Sequence, residues 1–281
     1  MKLPKLVLAI AGLALVAAPS VSFAQGNIFI TGHDVDDHGN SAYFAAGLDY
    51  LAYGAAASGA QIAGRSALKV GYLANSNGGT GSIAAGGYSN VTFIDLDTAG
   101  WQTTALNTGA GKFDILVIGT GADYVFAAGS TALNSFAVGA TSFATYFNAG
   151  GSLFVNSEQG LGQTFYNFVP SFGVASTSSI SDVGAFTPTA AGLAIGLTNT
   201  IVDMDITHTT FSGVSGAFTI FETYDPTGAA VAIGLRNAVI DTGGGGFVPG
   251  GAVPEPSTYG MIGAAVLVGA AMLRRRKSAR A

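Results

Sequence analysis

The chain alternates between short, continuous apolar runs and longer segments in which apolar residues recur at helical spacing. Two helices are predicted, at 41–57 and 130–149, and in the second Leu133, Phe136 and Phe143 share one stripe. Continuous apolar strands interleaved with helices are typical of an α/β fold, and they predict a flavodoxin-like parallel sheet with helices on both faces. The predicted strands are residues 28–31, 70–74, 91–96, 114–119 and 152–156.

A late β-hairpin is predicted where two further apolar runs flank a turn. The runs are 217–223 and 230–235, and the turn at 224–228 reads Tyr-Asp-Pro-Thr-Gly. Segments 75–90 and 173–192 are rich in Gly, Ser and Ala, and they are interpreted as loops. An all-β surface adhesin is the alternative architecture, but the second helical stripe favours α/β.

The N-terminus has the order of parts that is typical of a signal peptide. Lys2 and Lys5 precede an apolar run at 6–18, and the small residues Ser22 and Ala24 mark a cleavage site. We therefore expect residues 1–24 to be a signal peptide that signal peptidase removes after Ala24. The alternative is a buried N-terminal helix.

The C-terminus predicts a linker followed by a membrane segment. Residues 242–252 are rich in Gly and Pro, as in flexible linkers. Residues 258–273 are uncharged and predict a transmembrane helix, although they fall short of the ~20 residues that usually span a bilayer. The basic residues after this segment would keep its end in the cytoplasm. The flanking motifs are Pro254, Glu255 and Pro256 before it, and Arg274, Arg275 and Arg276 after it.

Residues 253–281 resemble the PEP-CTERM sorting signal of Gram-negative bacteria in their Pro-Glu-Pro motif, apolar segment and arginine cluster. The resemblance implies that an exosortase recognises and cleaves the chain near Pro254-Glu255-Pro256. It also implies transient anchoring in the inner membrane, then release to the cell surface or an exopolysaccharide matrix. An ordinary tail anchor is the alternative.

Composition and charge exclude several classes of function. The chain has 11 Lys and Arg against 16 Asp and Glu, which argues against nucleic-acid binding. It has no cysteine, and this excludes disulfides, thiolate metal sites and cysteine nucleophiles. Removal of both ends would leave four basic residues against fifteen acidic ones, so the mature body is strongly acidic.

The loop from His33 to His38 is the densest group of titratable residues in the chain. Carboxylates together with imidazoles suit a divalent cation, so this loop is a candidate metal site. An EF-hand is excluded because Ala45 occupies the position of the bidentate glutamate. The alternative is that the aspartates cap the following helix in a solvated loop. The candidate ligands are His33, Asp34, Asp36, Asp37 and His38.

The predicted α/β domain, residues 26–241, resembles the class I glutamine amidotransferase-like superfamily and its ThuA-like relatives. The resemblance lies in segments 113–123 and 150–158, where the superfamily has a strand, a helix and a nucleophile elbow. It places the elbow at Ser157 and a late histidine at His208. The chain lacks the superfamily's catalytic cysteine and has no Pro-Glu after the histidine, so no orienting acid is expected there.

Two classes of function remain open. The first is an exported surface or matrix protein whose body is a non-catalytic binding or structural module. The second is an extracytoplasmic hydrolase or carbohydrate-active enzyme that uses the carboxyl edge of the sheet, with Ser157 and His208 as catalytic candidates. The missing cysteine and the few basic residues favour the first. No cofactor is expected beyond a divalent cation.

Overall fold

The computed structural model describes residues 25–120, 142–156, 175–214, 216–241 and 246–249, without the side chains of 175–181, 241 and 246–249. The predicted signal peptide, the sorting signal with its segment 258–273, most of the predicted helix 130–149, and Ser157 lie outside these residues. Within them, no helix is long and apolar enough to cross a membrane.

Five parallel strands form one half of the sheet. They lie in the spatial order β3-β2-β4-β5-β1, and each begins and ends within two residues of its predicted bounds. The strands are β1 (Gly26–Thr31), β2 (Val70–Ala74), β3 (Val91–Asp95), β4 (Ile115–Ile118) and β5 (Ser152–Val155). The predicted parallel strands are therefore confirmed.

The order of these strands differs from the flavodoxin-like order 2-1-3-4-5 that was expected. In that order the first strand lies between the second and third. Here β1 pairs in parallel with β5 on one side and antiparallel with a late strand on the other. Apolar runs reveal where strands occur in the chain, but neighbours in the sheet are chosen by long-range packing.

The second half of the sheet is antiparallel. Its strands are β6 (Ala175–Asp182), β7 (Phe186–Pro188), β8 (Thr207–Ser212), β9 (Thr219–Tyr224), β10 (Ala229–Asp241) and β11 (Gly246–Pro249). Strands β9 and β10 form the predicted hairpin, and β10 joins this half to β1. Two sequence interpretations are wrong here. Segment 173–192 contains two strands, and β11 occupies part of the predicted linker 242–252, where Phe247 and Val248 favour extended backbone.

Helices cover both faces of the sheet, as predicted, and one of them lies in segment 75–90, so the interpretation of this segment as a loop is wrong. Phe29, Tyr72 and Phe154 belong to one buried apolar cluster, and Ile28, Leu116 and Leu153 to another, because neighbouring residues of a strand point to opposite faces. The helices are α1 (Val35–His38), α2 (Ser41–Tyr53), α3 (Ala60–Gly64), α4 (Gly78–Ala85), α5 (Trp101–Ala105), α6 (Phe143–Asn148), α7 (Ala190–Ala194) and α8 (Asn199–Val202), with a 3₁₀ turn at Arg65–Ala67.

Helix α2 ends earlier than the predicted helix 41–57. The side chain of Asn40 accepts a hydrogen bond from the Tyr43 amide at 3.0 Å, which caps the start of α2. Gly54 adopts a left-handed conformation with φ 83° and stops the helix four residues before the predicted end at residue 57.

The backbone just after β1 packs directly against β8. The Gly32 carbonyl accepts hydrogen bonds from the amides of His208 at 2.8 Å and Thr209 at 3.2 Å. A Cβ atom on Gly32 would lie 1.7 Å from the Thr209 carbonyl oxygen, so only glycine fits without a backbone shift. This close approach brings the residues after β1 beside those of β8.

The Gly32→Ala variant is therefore expected to lose about 2–4 kcal/mol of unfolding free energy, because the added methyl group must displace backbone rather than a side chain. Chemical denaturation monitored by circular dichroism measures this loss. Gly81→Ala is the matched control. A Cβ there meets nothing within 4 Å, and Gly81 is an exposed position of helix α4, where alanine stabilises a helix relative to glycine. A Gly32→Ala variant as stable as Gly81→Ala would contradict the close approach.

Candidate functional site

All three histidines of the chain gather at the carboxyl end of β1 with three acidic residues. His33 and Asp34 follow β1, His38 ends α1, and His208 lies in β8. Asp205 precedes β8 and Glu222 lies in β9, so the acids come from distant parts of the chain. We call these six residues the histidine–carboxylate cluster: His33, Asp34, His38, Asp205, His208 and Glu222.

The innermost part of the cluster is a buried pair of His33 and Glu222. His33 Nε2 lies 2.6 Å from Glu222 Oε1, and its Nδ1 lies 2.7 Å from Thr207 Oγ1. The Tyr43 hydroxyl donates to Glu222 Oε2 at 2.9 Å. Burial is the largest influence and opposes a charge on His33, but the carboxylates of Glu222 and Asp205 outweigh it and raise the pKa of His33. The pair joins β1 to β9 and holds the ring in place.

Asp34 lies between the other two histidines. Its Oδ2 is 3.1 Å from His38 Nε2 and 3.2 Å from His208 Nε2. The side chains of His38 and His208 are 38% and 11% exposed, whereas that of Asp34 is 4% exposed. Its other oxygen, Oδ1, is buried and accepts no hydrogen bond from the residues that the structure describes. The two histidines thus form the outer rim of the cluster around a buried carboxylate.

Asp205 is buried and accepts no hydrogen bond at either oxygen from the described part of the chain. The side-chain amide of Asn40 donates to the Ile201 carbonyl at 2.9 Å, and it also lies near enough to Asp205 to favour the ionised form of this carboxyl. Burial raises the pKa of Asp205 to about 6, with His33 acting in the opposite direction and Asp34 adding to the increase. A carboxylate that is buried without donors is costly, and such groups are concentrated at functional sites.

The other two aspartates of the predicted metal loop point elsewhere. Asp36 Oδ2 accepts hydrogen bonds from the Tyr72 hydroxyl at 2.6 Å and the Thr120 amide at 2.8 Å, while its Oδ1 accepts from the Thr120 hydroxyl. Burial raises the pKa of Asp36. These contacts tie α1 to β2 and to the end of β4. Asp37 is exposed.

The five predicted ligands therefore do not converge on one point. His33 faces Glu222, Asp34 faces two histidines, and Asp36 faces Thr120. Across the described ranges, no group of three or more His, Asp or Glu side chains is arranged to hold a metal ion. Binding of a cation by this loop therefore stays a prediction.

Of the two catalytic candidates, the structure describes only His208. No acid directly follows His208 in the sequence, but Asp34 from the other end of the body lies beside it, with Oδ2 3.2 Å from His208 Nε2. Ser157 lies outside the described residues, and its distance to His208 stays a prediction. The residue before it, Asn156, is buried at the end of β5 and donates to the Ile118 carbonyl at 3.1 Å.

Sequence reasoning did not identify Asp205 or Glu222 as site residues. Neither belongs to a local motif, since both reach the cluster only through the packing of β8 and β9 against β1. The one available signal was Glu222 itself, an acidic residue within an otherwise uncharged strand, Thr219–Tyr224. Fully buried acids are rare unless they are paired, so a glutamate there could have indicated a buried partner.

Comparison with known proteins identifies one feature of the chain. Residues 252–277 match the family model of the PEP-CTERM protein-sorting motif. This confirms the C-terminal sorting signal and is typical of an exported protein that an exosortase processes. Comparison with curated proteins and with solved structures gave no match. The resemblance of the body to the amidotransferase-like superfamily therefore stays a prediction.

Asp205 is expected to destabilise the fold at neutral pH. Its folded pKa of about 6 exceeds the ordinary value of 3.8, so the folded chain holds this proton more tightly than the unfolded chain does. The free energy of unfolding should then fall as the pH rises from about 4 to about 6. Asp205→Asn should stabilise the protein by up to about 3 kcal/mol near pH 7.5, and the gain should vanish at about pH 4.

Urea denaturation of Asp205→Asn and wild type at both pH values measures this difference. Asp37→Asn is the control, because Asp37 is an exposed aspartate of the same cluster region and should show no comparable gain. A less stable Asp205→Asn near neutral pH would mean that Asp205 accepts hydrogen bonds in the folded protein.

Proposed function

We propose that this chain is an exported protein that an exosortase releases to the cell surface or an exopolysaccharide matrix. The observation that carries the proposal is the match of residues 252–277 to the PEP-CTERM sorting motif. The signal-peptide pattern at 1–24 supports it, because export must precede sorting. The segment 258–273 would hold the chain in the inner membrane until cleavage near Pro254-Glu255-Pro256.

The body is a binding module in this proposal, and its ligand occupies the histidine–carboxylate cluster. Ligands of open α/β sheets bind beyond the carboxyl ends of the strands, and the cluster lies at the carboxyl end of β1. The unpartnered oxygens of Asp34 and Asp205 support this role, since a purely structural cluster would satisfy its own acceptors.

Export and release are tested by intact-mass analysis of the protein recovered outside the cells. The wild-type chain is expected to begin at Gln25 and to end near residue 255, having lost Arg274–Ala281. A variant with Pro254, Glu255 and Pro256 all changed to Ala should keep its C-terminal end and stay with the membrane fraction. Ser257→Ala serves as the control and should be released normally. Released wild-type protein that still carries Arg274–Ala281 would contradict the proposal.

A hydrolase is the second candidate, and one contact favours it. Asp34 Oδ2 lies 3.2 Å from His208 Nε2, and a carboxylate beside a histidine is the arrangement that orients a general base. His208 is largely buried, with 11% of its side chain accessible to solvent. Ser157 would be the nucleophile of such an enzyme.

The two candidates differ in what Ser157→Ala does. A binding module loses nothing measurable, so purified wild type, Ser157→Ala and His208→Asn should hydrolyse nitrophenyl esters and glycosides at the same background rate. An enzyme would lose at least about a hundredfold in rate in both variants. Circular dichroism shows whether each variant is folded, and His38→Asn controls for the loss of a rim histidine. A loss in folded Ser157→Ala would establish the hydrolase.

A further inference from the structure

Three carboxylate oxygens of the histidine–carboxylate cluster are buried and have no donor at hydrogen-bond distance among the residues that the structure describes. They are Asp34 Oδ1 and both oxygens of Asp205. The two acids lie in neighbouring parts of the structure, because Thr207, two residues after Asp205, forms a hydrogen bond at 2.7 Å with His33, the residue before Asp34. A buried carboxylate without donors is strongly unfavourable, so this arrangement is complete only when something else supplies hydrogen-bond donors or positive charge.

No lysine or arginine among the described residues contacts these oxygens. Between residue 25 and the sorting signal the chain contains only four basic residues, and each is engaged elsewhere. Arg65 pairs with Asp49, and Arg236 lies over the ring of Tyr50. The ammonium groups of the two lysines donate to backbone carbonyls. The four residues are Arg65, Lys69, Lys112 and Arg236.

These contacts restrict which chemical group a ligand presents to the three carboxylate oxygens. An anion is disfavoured, because it would meet the carboxylates of Asp34 and Asp205, and the histidines beside them already face carboxylates. A metal ion needs several ligands directed at one point, and no such group exists in the part of the chain that the structure describes. A primary ammonium has three N–H donors and places looser demands on geometry than a metal ion, so it suits buried acceptors that do not all point at one position.

We propose that the cluster binds a small ligand through its primary ammonium group, with Asp34 and Asp205 as the recognising residues. The ligand enters past His38, whose side chain is 38% exposed. This inference rests on the proposed role of the body as a binding module and gives that module its ligand class. It does not depend on exosortase cleavage.

The contribution of the ammonium group to binding is tested by isothermal titration calorimetry of the body, residues 25–249. Residues 25–249 lie within one compact unit. The ligands are three sugars that differ at only one substituent. Glucosamine carries the ammonium, N-acetylglucosamine carries a neutral amide in its place, and glucose carries a hydroxyl. The buffer must be free of Tris, which is itself a primary amine. We expect glucosamine to bind at least about tenfold more tightly than the other two, the size of a charged hydrogen bond.

The variants locate the binding. Asp205→Asn should weaken glucosamine binding about tenfold or more, and Asp37→Asn, an exposed aspartate of α1, should leave it within about twofold. Because Asp205→Asn is expected to be the more stable protein near neutral pH, unfolding would not explain its loss of binding. Ethylamine in a further titration identifies the source: binding of both amines means that the ammonium suffices, and binding of glucosamine alone identifies an amino sugar.

Several outcomes would overturn the inference. They are equal binding of glucosamine and N-acetylglucosamine, no binding of either amine, or unchanged glucosamine binding in Asp205→Asn. A thermal shift with calcium, manganese or zinc that Asp34→Asn abolishes, without any amine binding, would assign the cluster to a metal instead. The release assay reads only the sorting signal, so failure there and failure here are distinguishable.

Discussion

The contact between His33 and Glu222 joins the two halves of the sheet from the inside. His33 follows a strand of the parallel half, and Glu222 belongs to the antiparallel half. Both side chains are fully buried, so neither charge can be satisfied by water if its partner is lost. The ring of His33 and the hydroxyl of Tyr43 between them occupy both oxygens of Glu222. The positions of Asp34, Asp205 and His208 depend on this link, because it fixes how β8 and β9 approach the end of β1.

The ion pair of Asp49 and Arg65 shows how a buried carboxylate is hydrogen-bonded when its role is structural. Asp49 accepts hydrogen bonds from Arg65, from the Tyr88 hydroxyl at 2.7 Å and from the Ala57 amide at 3.0 Å, so both of its oxygens are satisfied. Asp205 is as deeply buried and has none of these partners within the described ranges. Proteins that keep such an unfavourable group gain function from it at the expense of stability. The contrast between Asp49 and Asp205 is the observation behind the ligand proposed above.

The sequence predicted the local parts of this structure and missed the long-range ones. The five parallel strands and the hairpin were found because buried strands need continuous apolar residues and a hairpin needs turn residues. The position of β1 between β5 and β10 was not predictable, since it depends on contacts between the two ends of the body. The same reason applies to the site. The loop from His33 to His38 was identified by its composition, but its partners Asp205 and Glu222 lie about 170 to 190 residues later in the chain.

The place of β1 in the sheet also sets the order in which the protein can fold. Its antiparallel partner is β10, and one hydrogen bond between them joins Asn27 to Asn237 across 210 residues. Contacts of such long range form slowly, because a large loop must close before they contribute. In a chain that is made from its N-terminus, His33 and Asp34 come early, whereas β8 and β9, which carry His208 and Glu222, come late. The histidine–carboxylate cluster is therefore completed only when nearly the whole body is present.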